Sequence, residues 1–255
     1  MILAVDAGNT HIVIGCTQNG TVSFTERIST NRQKTEFEYA LDFKVILELH
    51  QIAPGSVEGG IISSVVPQLS PVLCRALEKI ISQKPLIVGP GVKTGLKIMI
   101  DNPAQLGSDL AVSAVAALAS CQPPLIVIDM GTATTFSVID HEKRYLGGAI
   151  VPGAVVALNS LSTETSQLPH ISLEAPQQVI GTNTVDCMKS GTVLGNASMI
   201  DGMIDRIEEQ LHESVSVIAT GGIARHIIPF CRHSIFFDDD LMLKGLDLIY
   251  QKNRK

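Results

Sequence analysis

Two stretches of this 255-residue chain share one design: an apolar run, an aspartate, a glycine two positions later, and then small polar residues. Residues 2–10 read ILAVDAGNT, and residues 125–135 read LIVIDMGTATT. Each apolar run predicts a buried strand, and the glycine permits a tight turn whose backbone N–H groups can cradle a phosphate. Because the design occurs twice, the chain is predicted to form a duplicated core with a nucleotide between its halves.

The elements around these stretches support the duplication. Three strands separated by turns are predicted in each half, at residues 2–6, 11–17, 21–28, 125–129, 134–139 and 144–151. Helices and strands alternate after each set, which is typical of an α/β fold. We therefore predict two ribonuclease-H-like lobes, residues 1–120 and 121–255, each with a mixed five-stranded sheet and helices, around a nucleotide cleft.

Helices are predicted mainly from apolar spacing. Phe37, Leu41, Val45 and Leu49 recur four residues apart, which predicts a helix over residues 35–51. Later helices are predicted over residues 67–83, 109–119, 154–163 and 241–250, with one long helix or two joined ones over residues 184–211. Gly191, Gly195 and Gly202 predict close packing or a break in that long region, and residues 89–103 are predicted to be irregular.

Composition excludes several classes of function. A formal net charge of −6 argues against a general nucleic-acid surface, which needs clustered Lys and Arg. The five cysteines form no CxxC pair, so neither a zinc site nor a disulfide framework is expected, and we interpret them as buried thiols. No long uncharged apolar run and no leader-like segment is found, which predicts a cytoplasmic protein without a membrane span. The chain also lacks the P-loop and protein-kinase glycine motifs.

Three aspartates are the candidates for chemistry. Asp6 suits a hydrated Mg²⁺, which keeps several waters and takes one or two carboxylates, and Asp129 could bind a cation beside the phosphates. Asp109, outside the phosphate turns, is the candidate base for a hydroxyl acceptor. Ser108 or Asp109 could instead cap the following helix. Thr220-Gly221-Gly222 predicts a turn that a base or ribose can approach closely.

Taken together, these motifs resemble those of the type III pantothenate kinases, members of the actin/sugar-kinase/Hsp70-like superfamily, over residues 6–246. The motifs that carry the resemblance are DAGNT (6–10), DNP (101–103) with GSD (107–109), IDMGTATT (128–135), GGAIVPG (147–153), GTNT (181–184) and SG (190–191). The resemblance implies an ATP-dependent phosphotransferase that phosphorylates the primary hydroxyl of pantothenate to 4′-phosphopantothenate, the first step of coenzyme A biosynthesis. It further implies a homodimer, and a monovalent cation, K⁺ or NH₄⁺, beside ATP and Mg²⁺.

The resemblance also implies a role for individual residues. Asp109 matches the catalytic proton acceptor, Asp129 the ligand of the monovalent cation, and Thr132 an ATP contact. The first phosphate motif, expected to bind ATP, comprises Asp6, Ala7, Gly8, Asn9, Thr10, His11, Ile12 and Val13. The positions expected to bind pantothenate are Ile100, Gly107, Ser108, Asp109, Leu110 and Thr184.

This chain departs from the family pattern at two acceptor positions. Leu110 stands where the family usually has an Arg that helps to hold the pantothenate carboxylate, and Ile100 stands where it usually has an aromatic residue. Losing a charged hydrogen bond to a carboxylate costs roughly 1.5–3 kcal/mol, unless Lys93, Lys97 or a partner-chain residue replaces the Arg. Two alternatives therefore stay open: a non-catalytic regulatory or transcription accessory protein, and a kinase for another small hydroxyl substrate.

Overall fold

The computed structural model describes residues 1–254, which form two compact units. The first unit comprises residues 1–96 and 101–119 with the C-terminal segment from Asp240, and the second comprises residues 97–100 and 120–239. The sequence-based division at residue 120 did not include the return of the C-terminal segment to the first unit.

Eleven strands and seven α-helices are assigned in the described residues. The strands are β1 (Ile2–Ala7), β2 (His11–Gln18), β3 (Thr21–Ser29), β4 (Gly59–Ser64), β5 (Leu86–Ile87), β6 (Lys97–Ile98), β7 (Leu125–Met130), β8 (Ala133–Ile139), β9 (Arg144–Pro152), β10 (Ser216–Thr220) and β11 (Phe236–Phe237). The helices are α1 (Glu36–Leu49), α2 (Ser70–Ile81), α3 (Ser108–Ser120), α4 (Ala154–Glu164), α5 (Thr184–Leu211), α6 (Ala224–Ile227) and α7 (Leu241–Asn253).

The two sheets share one topology, which confirms the predicted duplication. The first sheet has the order β3-β2-β1-β4-β5, and the second contains the equivalent order β9-β8-β7-β10-β11. In each, three antiparallel strands are followed by two strands parallel to the first. β1 is buried on both faces, because Leu3 and Val5 pack in the core that includes α1 and α2 while Ile2 and Ala4 pack against α3 and α7.

The prediction of five strands in the second sheet was wrong, because β6 extends that sheet to six. Lys97 and Ile98 pair in parallel with Arg144 and Tyr145 of β9, although residues 89–103 were predicted to be irregular. A strand of two residues is too short for an alternating pattern, so only its partner strand reveals it.

Helix α1 is present as predicted, but the residues that predicted it are not its buried face. Phe37, Leu41, Val45 and Leu49 are all exposed, by 46–74% of their area. Tyr39, Ala40, Phe43, Ile46 and Leu47 are buried instead. The helix begins at a capping box in which Thr35 accepts from the Glu38 N–H and the Glu38 carboxylate accepts from Thr35.

Helix α5 runs unbroken for 28 residues, so of the two alternatives predicted for its glycines, close packing or a break, the break does not occur. A Cβ at Gly191 or Gly195 would meet no other atom within 4 Å among the described residues, so no close packing occurs there within the chain. Ile200 and Ile204 on another side of the helix pack in the core of the second unit with β7 and β10.

Two further expectations concern exposure. None of the helices within residues 1–254 is long and apolar enough to cross a membrane. Cys16 and Cys74 are buried as predicted, but Cys187 on α5 is exposed, so the interpretation of all five cysteines as buried thiols was wrong.

Candidate active site

The first phosphate turn follows β1 and is held in place by Thr30, the residue after β3. The Gly8 N–H donates to the His11 carbonyl at 3.0 Å, and a Cβ at Gly8 would lie only 3.1 Å from that oxygen. Thr30 Oγ1 donates to the Gly8 carbonyl at 2.7 Å, and the Thr30 N–H donates to the Thr10 carbonyl at 2.9 Å. The turn is therefore fixed by two hydrogen bonds between main-chain groups and one from the Thr30 hydroxyl.

The eight residues predicted to contact ATP differ in exposure. Asn9, Thr10 and His11 are exposed at the turn, whereas Asp6, Gly8 and Val13 are partly buried. The side chains of Ala7 and Ile12 are fully buried in the core, so only their main-chain atoms can meet a ligand.

Arg32 is a residue at this turn that the sequence analysis missed. Its Nη2 donates to Asn9 Oδ1 at 3.2 Å, which brings a guanidinium group to the phosphate turn. The available signal was the register of the hairpin, in which His11 pairs with Ser29, so that the residues after β3 lie beside the turn.

Asp109 lies in the first turn of α3, where burial raises the pKa of its carboxyl group even though a hydrogen bond from the Leu110 N–H lowers it. That N–H donates to Oδ1 at 2.9 Å. A Cβ at Gly107 would overlap the same oxygen, so the glycine leaves the room that the carboxylate occupies. The arrangement gives a partly buried carboxylate of raised basicity, which suits a general base.

Ser108 connects this helix to the sheet rather than capping the helix. Its Oγ lies 3.1 Å from Ser63 Oγ, accepts from the Ser64 N–H at 3.2 Å and donates to the Ser64 carbonyl at 3.2 Å. The capping prediction for Ser108 was therefore wrong, because its hydroxyl is committed to the end of β4. For Asp109 the same prediction holds in part, since its carboxylate accepts the first-turn N–H of Leu110.

The contacts of Ser108 bring Asp109 to the edge of the sheet that carries Asp6. In the parallel pairing of β1 with β4, Asp6 is the partner of Ser63 and Ala7 the partner of Ser64. The phosphate turn and the start of α3 thus meet at the carboxyl ends of two neighbouring parallel strands. Ligands of open α/β sheets bind at such ends.

The second phosphate turn, in the other unit, follows β7 in a similar way. The Gly131 N–H donates to the Ala133 carbonyl at 3.0 Å, and the Gly153 N–H donates to the Thr132 carbonyl at 3.0 Å. A Cβ at Gly153 would overlap the carbonyl oxygens of Gly131 and Thr132, so only glycine permits this approach. Thr132 itself is exposed.

Asp129 belongs to a polar group at the end of β7. It pairs with Thr135 of β8 and with Thr220 of β10, and cross-strand partners point to the same face of a sheet. The Thr135 Oγ1 atom is buried without a hydrogen-bond partner in the described structure. Carboxylate and hydroxyl oxygens suit a hard cation, which would satisfy that orphaned atom. Gly221, after β10, has a φ of 98° and lies against the Met130 backbone.

The remaining predicted acceptor residues lie in separate places. Leu110 is partly buried in the first unit, one residue after Asp109. Ile100 belongs to the second unit, where it lies beside Gly147. Thr184 is exposed at the start of α5 and lines an open cavity of about 590 Å³ with residues of α4 and α5, among them Leu161, Cys187 and Gly191. Thr184 and Gly191 belong to motifs noted in the sequence, whereas the other residues that line this cavity were not predicted to be functional.

Comparisons with known proteins agree on one family. The family model of type III pantothenate kinase matches residues 2–206. The type III pantothenate kinase of Halalkalibacterium halodurans is 43% identical over 253 residues, which cover 99% of this chain and 100% of that protein. The type III pantothenate kinase of an Exiguobacterium species is 42% identical over 255 residues, covering 100% of both.

Solved structures of much lower identity share the fold, which confirms the predicted two-lobed α/β class. A candidate Baf family transcriptional activator from Campylobacter jejuni has a TM-score of 0.61 at 17% identity, covering 99% of this chain and 98% of that one. A candidate 2-dehydro-3-deoxygalactonokinase from Sinorhizobium meliloti has a TM-score of 0.59 at 13% identity, covering 100% and 99%. On the family match and the identity of its full-length relatives, this chain belongs to the type III pantothenate kinase family.

Proposed function

We propose that this protein is a pantothenate kinase, which transfers the γ-phosphoryl group of ATP to the primary hydroxyl of pantothenate and so begins coenzyme A biosynthesis. The observation that carries the proposal is the chain of contacts from Asp6 through Ser63 and Ser108 to Asp109, since it sets a phosphate turn and a base at one sheet edge. The names of the full-length relatives support the same reaction over a regulatory role.

Asp109 acts as the general base in this proposal. It accepts a hydrogen bond from the pantothenate hydroxyl and orients that oxygen toward the γ-phosphorus. It takes the hydroxyl proton as the new P–O bond forms, while the bond from the γ-phosphorus to the bridging oxygen breaks and ADP leaves. Burial raises the pKa of this carboxyl group, which makes its charged form a stronger base. Ser108 positions the start of α3 through its contacts with Ser63 and Ser64. Gly107 leaves the space that the Asp109 carboxylate occupies.

The two phosphate turns bind ATP in this proposal. In the first unit, main-chain N–H groups of the turn from Asp6 to Val13 face the phosphates, and Asp6 holds Mg²⁺ through water. In the second unit, Thr132 contacts ATP. Bound Mg²⁺ would neutralise charge that develops on the phosphate oxygens.

Asp129 binds a monovalent cation, K⁺ or NH₄⁺, in this proposal. The support is the shared face of Asp129, Thr135 and Thr220 together with the unpartnered Thr135 hydroxyl. The cation would supply positive charge beside the phosphates at the second turn. Activity that is the same in Na⁺ and K⁺ buffers would count against the assignment.

The residues proposed to contact pantothenate are Ile100, Gly107, Ser108, Leu110 and Thr184. Leu110 offers no charge to the pantothenate carboxylate, so pantothenate should bind more weakly here than in an enzyme with Arg at that position. The same residue supports a second candidate function, phosphorylation of another small alcohol that carries no carboxylate.

We also propose a homodimer, formed through the face that carries α4 and α5. Val155, Val156 and Leu161 of α4 are exposed, and Gly191 and Gly195 of α5 would allow close approach of a second copy. Light scattering should give twice the mass of the chain for the parent, and the mass of a single chain for Gly191→Arg. A monomer at every concentration would contradict this part. The cytoplasmic location stays a prediction.

A coupled ADP-release assay separates these possibilities. The purified protein is given ATP, Mg²⁺ and K⁺ with pantothenate or with each of a panel of primary alcohols, and Leu110→Arg is assayed in parallel. We expect pantothenate to give the highest kcat/KM, and Leu110→Arg to lower the KM for pantothenate by about tenfold, as one charged hydrogen bond would. A neutral alcohol preferred by the parent would identify the second candidate, and ATP binding without turnover on any acceptor would contradict both.

A further inference from the structure

One imidazole and two carboxylates converge in the second unit, and the proposed kinase mechanism uses none of them. Asp205 and Glu208 lie three residues apart on α5, so both project from one flank of the helix. His233 lies between the short 3₁₀-helix Ile228–Phe230 and β11. One ligand atom from each of the three lies within 4.8 Å of the others, and His233 Nε2 is 2.8 Å from Asp205 Oδ1.

The backbone around this cluster is fixed by neighbouring contacts. Asp201, one turn before Asp205, accepts from the N–H groups of Arg232 and His233 at 2.9 and 3.2 Å. Glu208 Oε1 accepts from the Val215 N–H at 2.9 Å. The segment that carries His233 is therefore positioned against α5 independently of the three side chains. Outer contacts of this kind preorganise metal ligands.

Exposure and charge both favour a cation here. The Asp205 side chain is 60% exposed and that of His233 is 28% exposed, so a hydrated ion can reach the ligand atoms. Two carboxylates, those of Asp205 and Glu208, lie beside the His233 imidazole. Their mutual repulsion would be relieved by a divalent cation.

We propose that Asp205, Glu208 and His233 bind one divalent transition-metal ion, for which Zn²⁺ is the best match. Imidazole with carboxylates suits Zn²⁺, whereas Mg²⁺ and Ca²⁺ prefer oxygen ligands alone. Zn–N and Zn–O bonds of roughly 2.0–2.2 Å require ligand atoms about 3.3–3.5 Å apart, so an exposed carboxylate need move by only about 1 Å. Water completes the tetrahedron, and the ion fastens the segment before β11 to α5.

The competing interpretation is a hydrogen-bonded His–Asp pair with no metal. Titration of the full-length protein with Zn²⁺, followed by calorimetry without ATP, distinguishes the two. We expect one equivalent bound by the parent, and affinities at least tenfold weaker in His233→Ala and in Asp205→Asn. Glu209→Gln, which removes a charge from the same helix turn, and His226→Ala, which removes another exposed histidine, should bind as the parent does.

Two further readouts guard against indirect effects. Co²⁺ in place of Zn²⁺ should give the visible absorption of a tetrahedral site in the parent and lose it in His233→Ala. Zn²⁺ should raise the Tm of the parent but not that of His233→Ala, while the Tm values without metal agree. No binding at millimolar Zn²⁺, or unchanged affinity in both ligand variants, would overturn the proposal.

Discussion

Replacing Gly107 by alanine tests whether the Asp109 carboxylate must stay where the structure has it. The backbone at Gly107 is not in the left-handed region, so alanine introduces no conformational strain. Its Cβ would nevertheless overlap Asp109 Oδ1, whereas ordinary contact begins at 3.4 Å. The carboxylate would therefore retreat by about 1 Å, and a misplacement of that size can cost about a hundredfold in rate.

We expect Gly107→Ala to lower kcat about a hundredfold for pantothenate phosphorylation, measured by ADP release at saturating ATP and pantothenate. The KM for ATP should change little, because the added Cβ would overlap Asp109, which is not among the residues proposed to bind ATP. The Tm should also change little, since the atom that moves is the end of a side chain. Gly55→Ala is the matched control, because a Cβ there would meet no atom of residues 1–254 within 4 Å.

The comparison of the two glycine variants tests whether the position of the Asp109 carboxylate determines kcat. A kcat for Gly107→Ala within about threefold of the parent would mean that the observed carboxylate position is not needed for proton transfer. An equal loss in Gly55→Ala would mean that the assay reports general disturbance instead.

Three other predictions concern pH and packing. Burial raises the pKa of Asp109, so the contribution of this carboxyl group to stability is present below the ordinary carboxyl pKa and is lost as pH rises through the raised pKa. Asp109→Asn should therefore raise the Tm at neutral pH, while kcat falls at least a hundredfold. An unchanged Tm would contradict this prediction. At Asp140, burial raises the pKa, but hydrogen bonds from Arg144 and the Glu142 N–H hold it below its usual range, so the stability that this carboxylate contributes is lost as pH falls. Asp140→Ala should lower the free energy of unfolding in urea at neutral pH by about 2–4 kcal/mol. A loss below about 0.5 kcal/mol would argue against this prediction. On α1, Leu47→Ala should cost about 2–5 kcal/mol and Leu49→Ala less than about 0.5 kcal/mol, and the reverse order would show that the buried face is misassigned.

The strands around the phosphate turns could be predicted from sequence because several local signals agree there. An apolar run, a glycine turn and an Asn-Gly hairpin signal fix β1 to β3 to within one or two residues. Asn19 and Gly20 both have positive φ, as that turn type requires. The duplication of the topology also followed from the sequence, since both halves repeat the same local pattern.

Helix α1 shows why burial is harder to predict than the helix itself. A spacing of four residues is satisfied by Phe37, Leu41, Val45 and Leu49, but the same helix carries a second apolar face with Tyr39, Phe43 and Leu47. Local pattern cannot choose between two apolar faces, because the choice depends on which face meets the sheet and α2. Two aromatic side chains, those of Tyr39 and Phe43, occupy the buried face, whereas the exposed face carries one, that of Phe37.

The candidate site was likewise predicted only in part from the sequence. Asp109 and the phosphate turns were found from residue type and motif, but the contacts that join them depend on side chains distant in sequence. Ser108 meets Ser63 and Ser64, which lie more than 40 residues earlier, and Arg32 meets Asn9 across a hairpin. The spacing of residues along the sequence does not predict these contacts, because they depend on how α3 packs against the end of β4 and on how β2 pairs with β3.

The most direct test of the proposed kinase measures product formation by the parent and by Asp109→Asn. Each protein is incubated with ATP, Mg²⁺, K⁺ and pantothenate, and 4′-phosphopantothenate is quantified by mass spectrometry while ATP binding is measured by calorimetry. We expect pantothenate-dependent product from the parent, and product reduced at least a hundredfold in Asp109→Asn with ATP binding retained. Equal product from both proteins would contradict the role of Asp109, and no product from the parent would contradict the proposed function itself.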